Sequence, residues 1–210
     1  MSDKAALNLF PLENYQPQKT PHSLQVLLGQ QEEYQRNRKL EVKTVTIDRF
    51  TMLAVKVSGS MENFEVGQEV RKGWNRLQDV LSSEKELSME ENKGIVFYNQ
   101  GIMVQPDGRI ELWVGIKVKD NTPIPGEYKC LTMTIPKRKY AKIDCRCFSR
   151  TEMDRRYRYL KEWIKQEGYQ IDNGTNAFSL EPNRLDTFNP FSVPANEIQA
   201  FDFDILYPIK

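Results

Sequence analysis

The sequence predicts an α+β fold in which an antiparallel sheet carries two helices and a central groove. Three observations lead to this prediction: segments that alternate apolar and polar residues, two apolar stripes at helical spacing, and a repeat of this order along the chain. Each half reads β-α-β-β, with half-units at about residues 41–120 and 126–210, and we expect a pseudo-twofold axis to relate them. Residues 1–40 are interpreted as an N-terminal extension of this domain.

The first half begins with alternating apolar and polar residues, which is typical of half-buried strands. The apolar members are Val45, Ile47, Leu53, Val55 and Val57. A helix is predicted over about residues 60–82, because apolar residues recur there every three or four positions. Two strands, at residues 94–98 and 110–118, complete this half.

The second half repeats the same order of elements. Residues 127–133 echo residues 41–47 at an offset of 86 positions. Thr151 and Asp154 form the predicted cap of a second helix. The remaining predictions are the helix itself over residues 151–166, its stop at Gly168, a strand over 177–181 and a closing strand over 201–210.

Charge and composition argue against several classes of protein. Lys plus Arg number 30 and Asp plus Glu number 29, so the basic excess typical of a nucleic-acid-binding protein is missing. No apolar run approaches the roughly 18 residues that span a bilayer, and the start of the chain lacks the features of a secretory signal. Three clustered cysteines do not suit a disulfide framework. We therefore expect a cytoplasmic protein with no direct nucleic-acid or membrane partner.

The sequence predicts neither a metal site nor a cofactor. Its only histidine, His22, lies in a proline-rich stretch and is a poor candidate for a catalytic triad. Cys145 and Cys147 lack the paired spacing of zinc sites, and we expect their thiols to point to opposite faces of a strand. The 11 glycines are scattered, so no phosphate-binding loop is present.

The seam between two half-units is the predicted position of a ligand pocket. Tyrosine and tryptophan are numerous in this chain, and both prefer sites that are only partly dry. Plain core packing is the alternative for each of them. The aromatic candidates for ligand binding are Trp74, Tyr98, Trp113, Tyr157, Phe178 and Tyr207.

Four segments, taken in order, carry a resemblance to a known family. They are residues 53–59 with Trp74 following, 94–98, 162–169 and 205–210. Their order and spacing resemble the GyrI-like family, the effector-binding domain found behind DNA-binding domains in AraC-type and MerR-type regulators. The resemblance covers about residues 41–210. It implies a pocket between the two halves that binds small aromatic or cationic molecules.

The resemblance also implies a carboxylate at the base of the pocket, and here the sequence departs from the usual pattern. The family places a Phe-Glu pair in the last-but-one strand, whereas Phe178 is followed by Ser179. Glu181 comes two residues later, and residues two apart in a strand point to the same face. Glu181 is therefore the candidate carboxylate. The alternative is a solvated residue at the strand end beside Pro182.

Three functions remain open. The first is a small-molecule-binding protein, related to effector domains of transcription regulators and to multidrug-binding modules, that senses or sequesters its ligand without a DNA-binding domain of its own. The second is a hydrolase of reactive small molecules, with Glu181 as general base and Tyr98 or Tyr157 as acid. The third is an inhibitory module that binds a protein partner through residues 201–204, for which an edge strand charged against aggregation is the alternative.

Overall fold

The computed structural model describes residues 40–84, 87–120, 130–186, 189–198 and 200–210. The predicted N-terminal extension lies outside the described residues except for its last residue. The strands are β1 (Val42–Ile47), β2 (Phe50–Gly59), β3 (Lys93–Tyr98), β4 (Ile110–Val118), β5 (Leu131–Ile135), β6 (Arg138–Cys147), β7 (Ser179–Arg184) and β8 (Phe201–Pro208). The helices are α1 (Glu65–Ser83) and α2 (Arg150–Gln166). No helix in the described part of the chain is long and apolar enough to cross a membrane.

All eight strands form one antiparallel sheet in the order β1-β6-β8-β7-β3-β4-β2-β5. Corresponding strands of the two halves lie at equal distances from the central β7–β3 pair. The predicted α+β class, with an antiparallel sheet and two helices, is therefore confirmed. The sequence duplication itself stays a prediction.

Each half contains one strand more than the predicted β-α-β-β unit. The additional strand comes first in each half and pairs with the other half: β1 pairs with β6, and β5 pairs with β2. Both are short strands at the edges of the sheet, and most of their residues are exposed or half-buried. Their apolar alternation is correspondingly weak, which explains why the sequence did not separate them as independent elements.

The exchanged strands force the sheet to curl. Only Asp48 and Arg49 separate β1 from β2, and only Pro136 and Lys137 separate β5 from β6. Such a link reaches at most about 11 Å. In a flat sheet, strands six positions apart would lie about 29 Å apart. The two edges of the sheet must therefore approach each other.

Both helices cover the same face of the sheet. Val96 on β3 pairs with Val114 on β4 and with Glu181 on β7, so these three side chains share a face. Val114 belongs to the core under α1. Asn183, two residues after Glu181 and on the same face of β7, pairs with Phe203, which belongs to the core under α2. A groove remains between the helices, above β3 and β7. A third core, without a helix, fills the inside of the curl.

Strand β8 lies inside the sheet, between β6 and β7. Asp202 and Asp204 are only 8% and 7% exposed. Both carboxylates accept hydrogen bonds from the guanidinium of Arg184. Nζ of Lys142 lies 2.6 Å from Oδ2 of Asp204. Residues 201–204 are thus neither an exposed protein-binding patch nor a charged edge strand, and both expectations were wrong because β8 is paired on both sides.

The N-terminal end of α2 differs in detail from the prediction. Ser149, not Thr151, is the cap, and its hydroxyl accepts from the backbone N–H of Glu152 at 3.2 Å. The Glu152 carboxylate accepts from the backbone N–H of Phe148 at 3.2 Å. The two side chains thus satisfy backbone N–H groups at the start of α2, two residues earlier than expected. Gly168, with φ of +77°, ends the helix region as predicted.

Gly94 lies where the sheet meets two stacked rings. The rings of Trp74 on α1 and Phe191 have their centroids 4.6 Å apart. A Cβ atom on Gly94 would clash with the Phe191 ring and lie 2.8 Å from Cζ3 of Trp74. Only glycine lets these rings pack directly on β3.

We expect Gly94→Ala to lower the free energy of unfolding by about 1–3 kcal/mol, because a methyl group must displace packed rings. Urea denaturation measures the change. Phe191→Leu frees space beside the methyl group, so a double-mutant cycle of these two changes should show favourable coupling. A loss below about 0.5 kcal/mol, or strictly additive effects, would contradict the packing described above.

Candidate ligand-binding site

A cavity of about 150 Å³ lies in the groove between α1 and α2. Strands β3 and β7 form its floor through Val96, Tyr98, Glu181 and Asn183, and the helices form its walls. Residues 189–198, here called the closing segment, cover it with Pro190, Phe191, Ala195 and Ile198. A cavity of this volume accommodates one aromatic ring of a ligand.

Glu181 is the only carboxylate among the described residues that line this cavity. Its Oε1 atom accepts hydrogen bonds from the Tyr98 hydroxyl at 2.9 Å and the Tyr157 hydroxyl at 2.7 Å. Both tyrosines therefore orient the same oxygen. The second oxygen, Oε2, accepts no hydrogen bond from the described residues, which leaves it available to a ligand.

Burial raises the pKa of Glu181 to about 6. The hydrogen bonds from Tyr157 and Tyr98 act in the opposite direction, but loss of solvation has the larger effect. Although part of the side chain faces the cavity, protein atoms surround the carboxylate. Burial, followed by the charge of Glu181, holds the pKa values of both tyrosines well above their usual range, so both hydroxyls stay protonated and keep donating.

Ser179 occupies the position where the resembled family carries its carboxylate. It pairs with Tyr98 across β3 and β7, and its side chain is buried. The Gln100 amide donates to its hydroxyl at 3.1 Å. Ser179 and Glu181 point to the same face, as residues two apart in a strand must. An acidic side chain at either position would therefore face the same side of β7.

Tyr207 and Trp74 lie behind the cavity wall. The Tyr207 ring is 6.5 Å from the Tyr157 ring, and its pKa is raised first by burial and then by the charge of Glu181. Trp74 stacks on Phe191, which lines the cavity directly. Both side chains therefore support the lining residues from behind.

The structure places Trp113 and Phe178 on the helix-free face of the sheet. Their rings meet edge to face with centroids 5.7 Å apart, and Phe97 packs against both. Neither lines the cavity, whereas Leu112, the neighbour of Trp113, does. Phe178 precedes Glu181 by three residues, so strand parity could have placed it on the opposite face. The face of Trp113 follows only from the pairing of β4 with β3, in which Trp113 lies opposite Phe97.

Two arginines and the closing segment escaped the sequence analysis. Arg71 on α1 donates from Nη1 to the Gly67 carbonyl at 2.7 Å, from Nη2 to the Pro190 carbonyl at 3.1 Å, and from Nε to the Val193 carbonyl. Arg150 on α2 donates to the Ala195 carbonyl. These contacts join residues up to 122 positions apart in sequence. No local sequence pattern identifies them.

Cys145 and Cys147 do not point to opposite faces, and that expectation was wrong. Residues two apart in a strand share a face. Both thiols lie buried in the core under α2, with their sulfur atoms 3.7 Å apart. Within the described ranges, no group of three His, Cys, Asp or Glu side chains is placed to hold a metal ion.

A family model described as integron-associated effector binding protein, Cass2, matches residues 43–209. The chain belongs to this family. It is thus an effector-binding protein with a ligand-binding role, and the resemblance to GyrI-like effector-binding domains is confirmed. None of the curated proteins compared matches the chain.

Solved structures share the fold of this effector-binding protein. The C-terminal domain of EcmrR has a TM-score of 0.61 at 11% identity, covering 82% of this chain and 99% of that one. A cryo-EM structure of an EcmrR–DNA complex has a TM-score of 0.61 at 12% identity, and the match covers 90% of this chain and 64% of EcmrR. A hydrolase from Listeria innocua has a TM-score of 0.52 at 10% identity, with 86% and 98% covered.

The raised pKa of Glu181 makes the stability of the protein depend on pH. The folded pKa of about 6 exceeds the usual value of 4.5, so the native state holds a proton that the unfolded state releases between these pH values. Stability therefore falls as pH rises from about 4.5 to about 6. We expect Glu181→Gln to be about 1–2 kcal/mol more stable than the wild type at pH 8 and nearly equal at pH 4.

Urea denaturation at several pH values measures this difference. Glu162→Gln, an exposed change on α2, is the matched control and should leave the pH profile unchanged. If Glu181→Gln shifted stability equally at pH 4 and pH 8, Glu181 would not carry a raised pKa.

Proposed function

We propose that the protein binds a small aromatic molecule with a cationic group in the cavity above β3 and β7. The observation that carries this proposal is the Glu181 carboxylate, which is enclosed by protein and keeps Oε2 available beside two tyrosine rings. The carboxylate offers the charge that a cation needs, and aromatic faces add cation–π attraction. The cavity volume favours a ligand built on a single ring.

The lining of the cavity supports binding of several related ligands. Met61, Met103 and Met153 line it together with aliphatic side chains. Methionine is unbranched and polarizable, so it adapts to ligands of different shape. This composition favours multidrug binding, in which several related compounds bind, over selection of a single compound by its shape.

Effector sensing in transcription is the setting that we propose for this binding. The family is one of effector-binding proteins, and EcmrR, which shares the fold, is known in a complex with DNA. In that setting the domain binds the small molecule directly, and its ligand-bound state is communicated to a DNA-bound or protein partner. Sequestration of the ligand in the cytoplasm is the alternative outcome of the same binding.

Binding of benzyltrimethylammonium, compared with its uncharged isostere neopentylbenzene, tests the proposal by calorimetry and thermal shift at pH 7.5. We expect the cation to bind and to raise the melting temperature, since a ligand at 100 times its Kd adds about 2.7 kcal/mol of stability. Glu181→Gln should weaken cation binding at least about tenfold, because it removes a charged partner worth about 1.4 kcal/mol or more.

The exposed change Glu162→Gln is again the matched control and should leave the affinity unchanged. Equal affinity for the cation and its isostere would contradict the proposal. So would an affinity that Glu181→Gln does not change.

Hydrolysis is the second candidate function, and one observation favours it. A carboxylate with a pKa of about 6, held between two protonated tyrosines, has the protonation states of a general base and acids near neutral pH. One fold neighbour from Listeria innocua is described as a hydrolase. If Glu181 acts as base, turnover of 4-nitrophenyl acetate should rise with pH through about 6.

Measured initial rates between pH 5 and pH 8 decide this alternative. Glu181→Gln should abolish the turnover, whereas Glu162→Gln should not. A flat pH profile, or no turnover above the buffer rate, would rule out hydrolysis through Glu181.

A further inference from the structure

Two guanidinium groups line the side of the cavity that the closing segment covers. Arg71 comes from α1 and Arg150 from α2, so the two helices bring like charges together above the groove. Arg150 is 7% exposed, and its guanidinium packs over the Phe64 ring at 4.8 Å and the Phe201 ring at 5.8 Å. The cavity therefore combines a carboxylate on its sheet floor with two cations on its helical walls, beside the closing segment.

The hydrogen bonds of Arg71 leave donors for a ligand. An arginine has five N–H groups, and Arg71 uses three of them on the carbonyls of Gly67, Pro190 and Val193. All three partners are neutral. Across the described residues, no carboxylate lies within ion-pair distance of Arg71. One N–H group remains on each terminal nitrogen.

The surroundings of Arg71 disfavour its charge. Burial lowers the pKa of Arg71 to about 10, and the positive charge of Arg150 acts in the same direction. Burial raises the pKa of Asp154, against the opposing charges of Arg158 and Arg150, and this residue does not line the cavity. An anionic group placed between the two guanidiniums would offset both the lost solvation and the mutual repulsion.

We propose that the effector is amphoteric: an aromatic compound whose acidic group binds Arg71 and Arg150 while its cationic group faces Glu181. This inference rests on the proposed function and narrows its ligand class. A carboxylate or sulfonate suits the remaining N–H groups of Arg71, because a planar guanidinium donates in parallel to such oxygens. A purely cationic ligand would satisfy Glu181 but leave Arg71 without an anionic partner.

The compound 4-(aminomethyl)benzoate is the probe, since it carries an ammonium and a carboxylate at opposite ends of one ring. Its methyl ester keeps the ring and the ammonium but has no carboxylate. We expect the acid to bind the wild-type protein at least about tenfold more tightly than the ester at pH 7.5, as measured by calorimetry. Because both probes meet the same protein, this ratio does not depend on the folding of any variant.

Variants at Arg71 then assign the preference to this residue. Arg71→Gln should abolish the preference for the acid and strengthen binding of the ester, since it removes a repelling charge. Arg71→Lys should keep part of the preference. Arg76→Gln, an exposed change on the same helix, is the matched control and should leave the ratio unchanged. A merely structural role of Arg71 would weaken both probes alike.

An ester that binds as tightly as the acid, or more tightly, would overturn this inference and leave the proposed function intact. Binding of benzyltrimethylammonium without binding of either probe would have the same consequence. Failure of all three compounds would overturn both the inference and the proposed function.

Discussion

The two-residue links between β1 and β2 and between β5 and β6 are the constraint on which the fold depends. They exchange the first strand of each half across the sheet and bring its edges together. One face then packs on itself inside the curl, so both helices must cover the other face. Because each helix sits over its own half, the central β3–β7 pair is left between them, and the ligand cavity opens there.

The position of Glu181 follows from this geometry. The central β7 strand places it under both helices, within reach of Tyr98 from the first half and Tyr157 from the second. An acidic side chain at this position loses solvation, and the fold retains it with two tyrosine donors rather than a buried cation. Such an arrangement lowers the free energy of unfolding and leaves a negative charge that a cationic ligand can pair with, which is typical of binding sites.

Local patterns in the sequence were sufficient to predict most strands and both helices, since each depends on alternation or periodicity. Glu181 became a candidate through the family resemblance, which implies a carboxylate on this strand. Long-range pairing was not predictable in this way. The exchange of β1 and β5 involves weakly alternating edge strands, and the contacts of Arg71 reach a segment more than 100 residues away. Residue type alone suggested Trp113 and Phe178 for the groove, whereas strand parity and strand pairing place them on the opposite face.

The proton exchange that accompanies ligand binding tests the central role of Glu181 most directly. Benzyltrimethylammonium has no titratable group, so calorimetry at pH 6 in buffers of different ionisation enthalpy reports protons from the protein alone. A cation beside Glu181 favours its charged form, and we expect release of up to roughly half a proton per ligand, absent in Glu181→Gln. Binding without proton release, or release that persists in Glu181→Gln, would contradict the assignment of Glu181 as the group that receives the ligand.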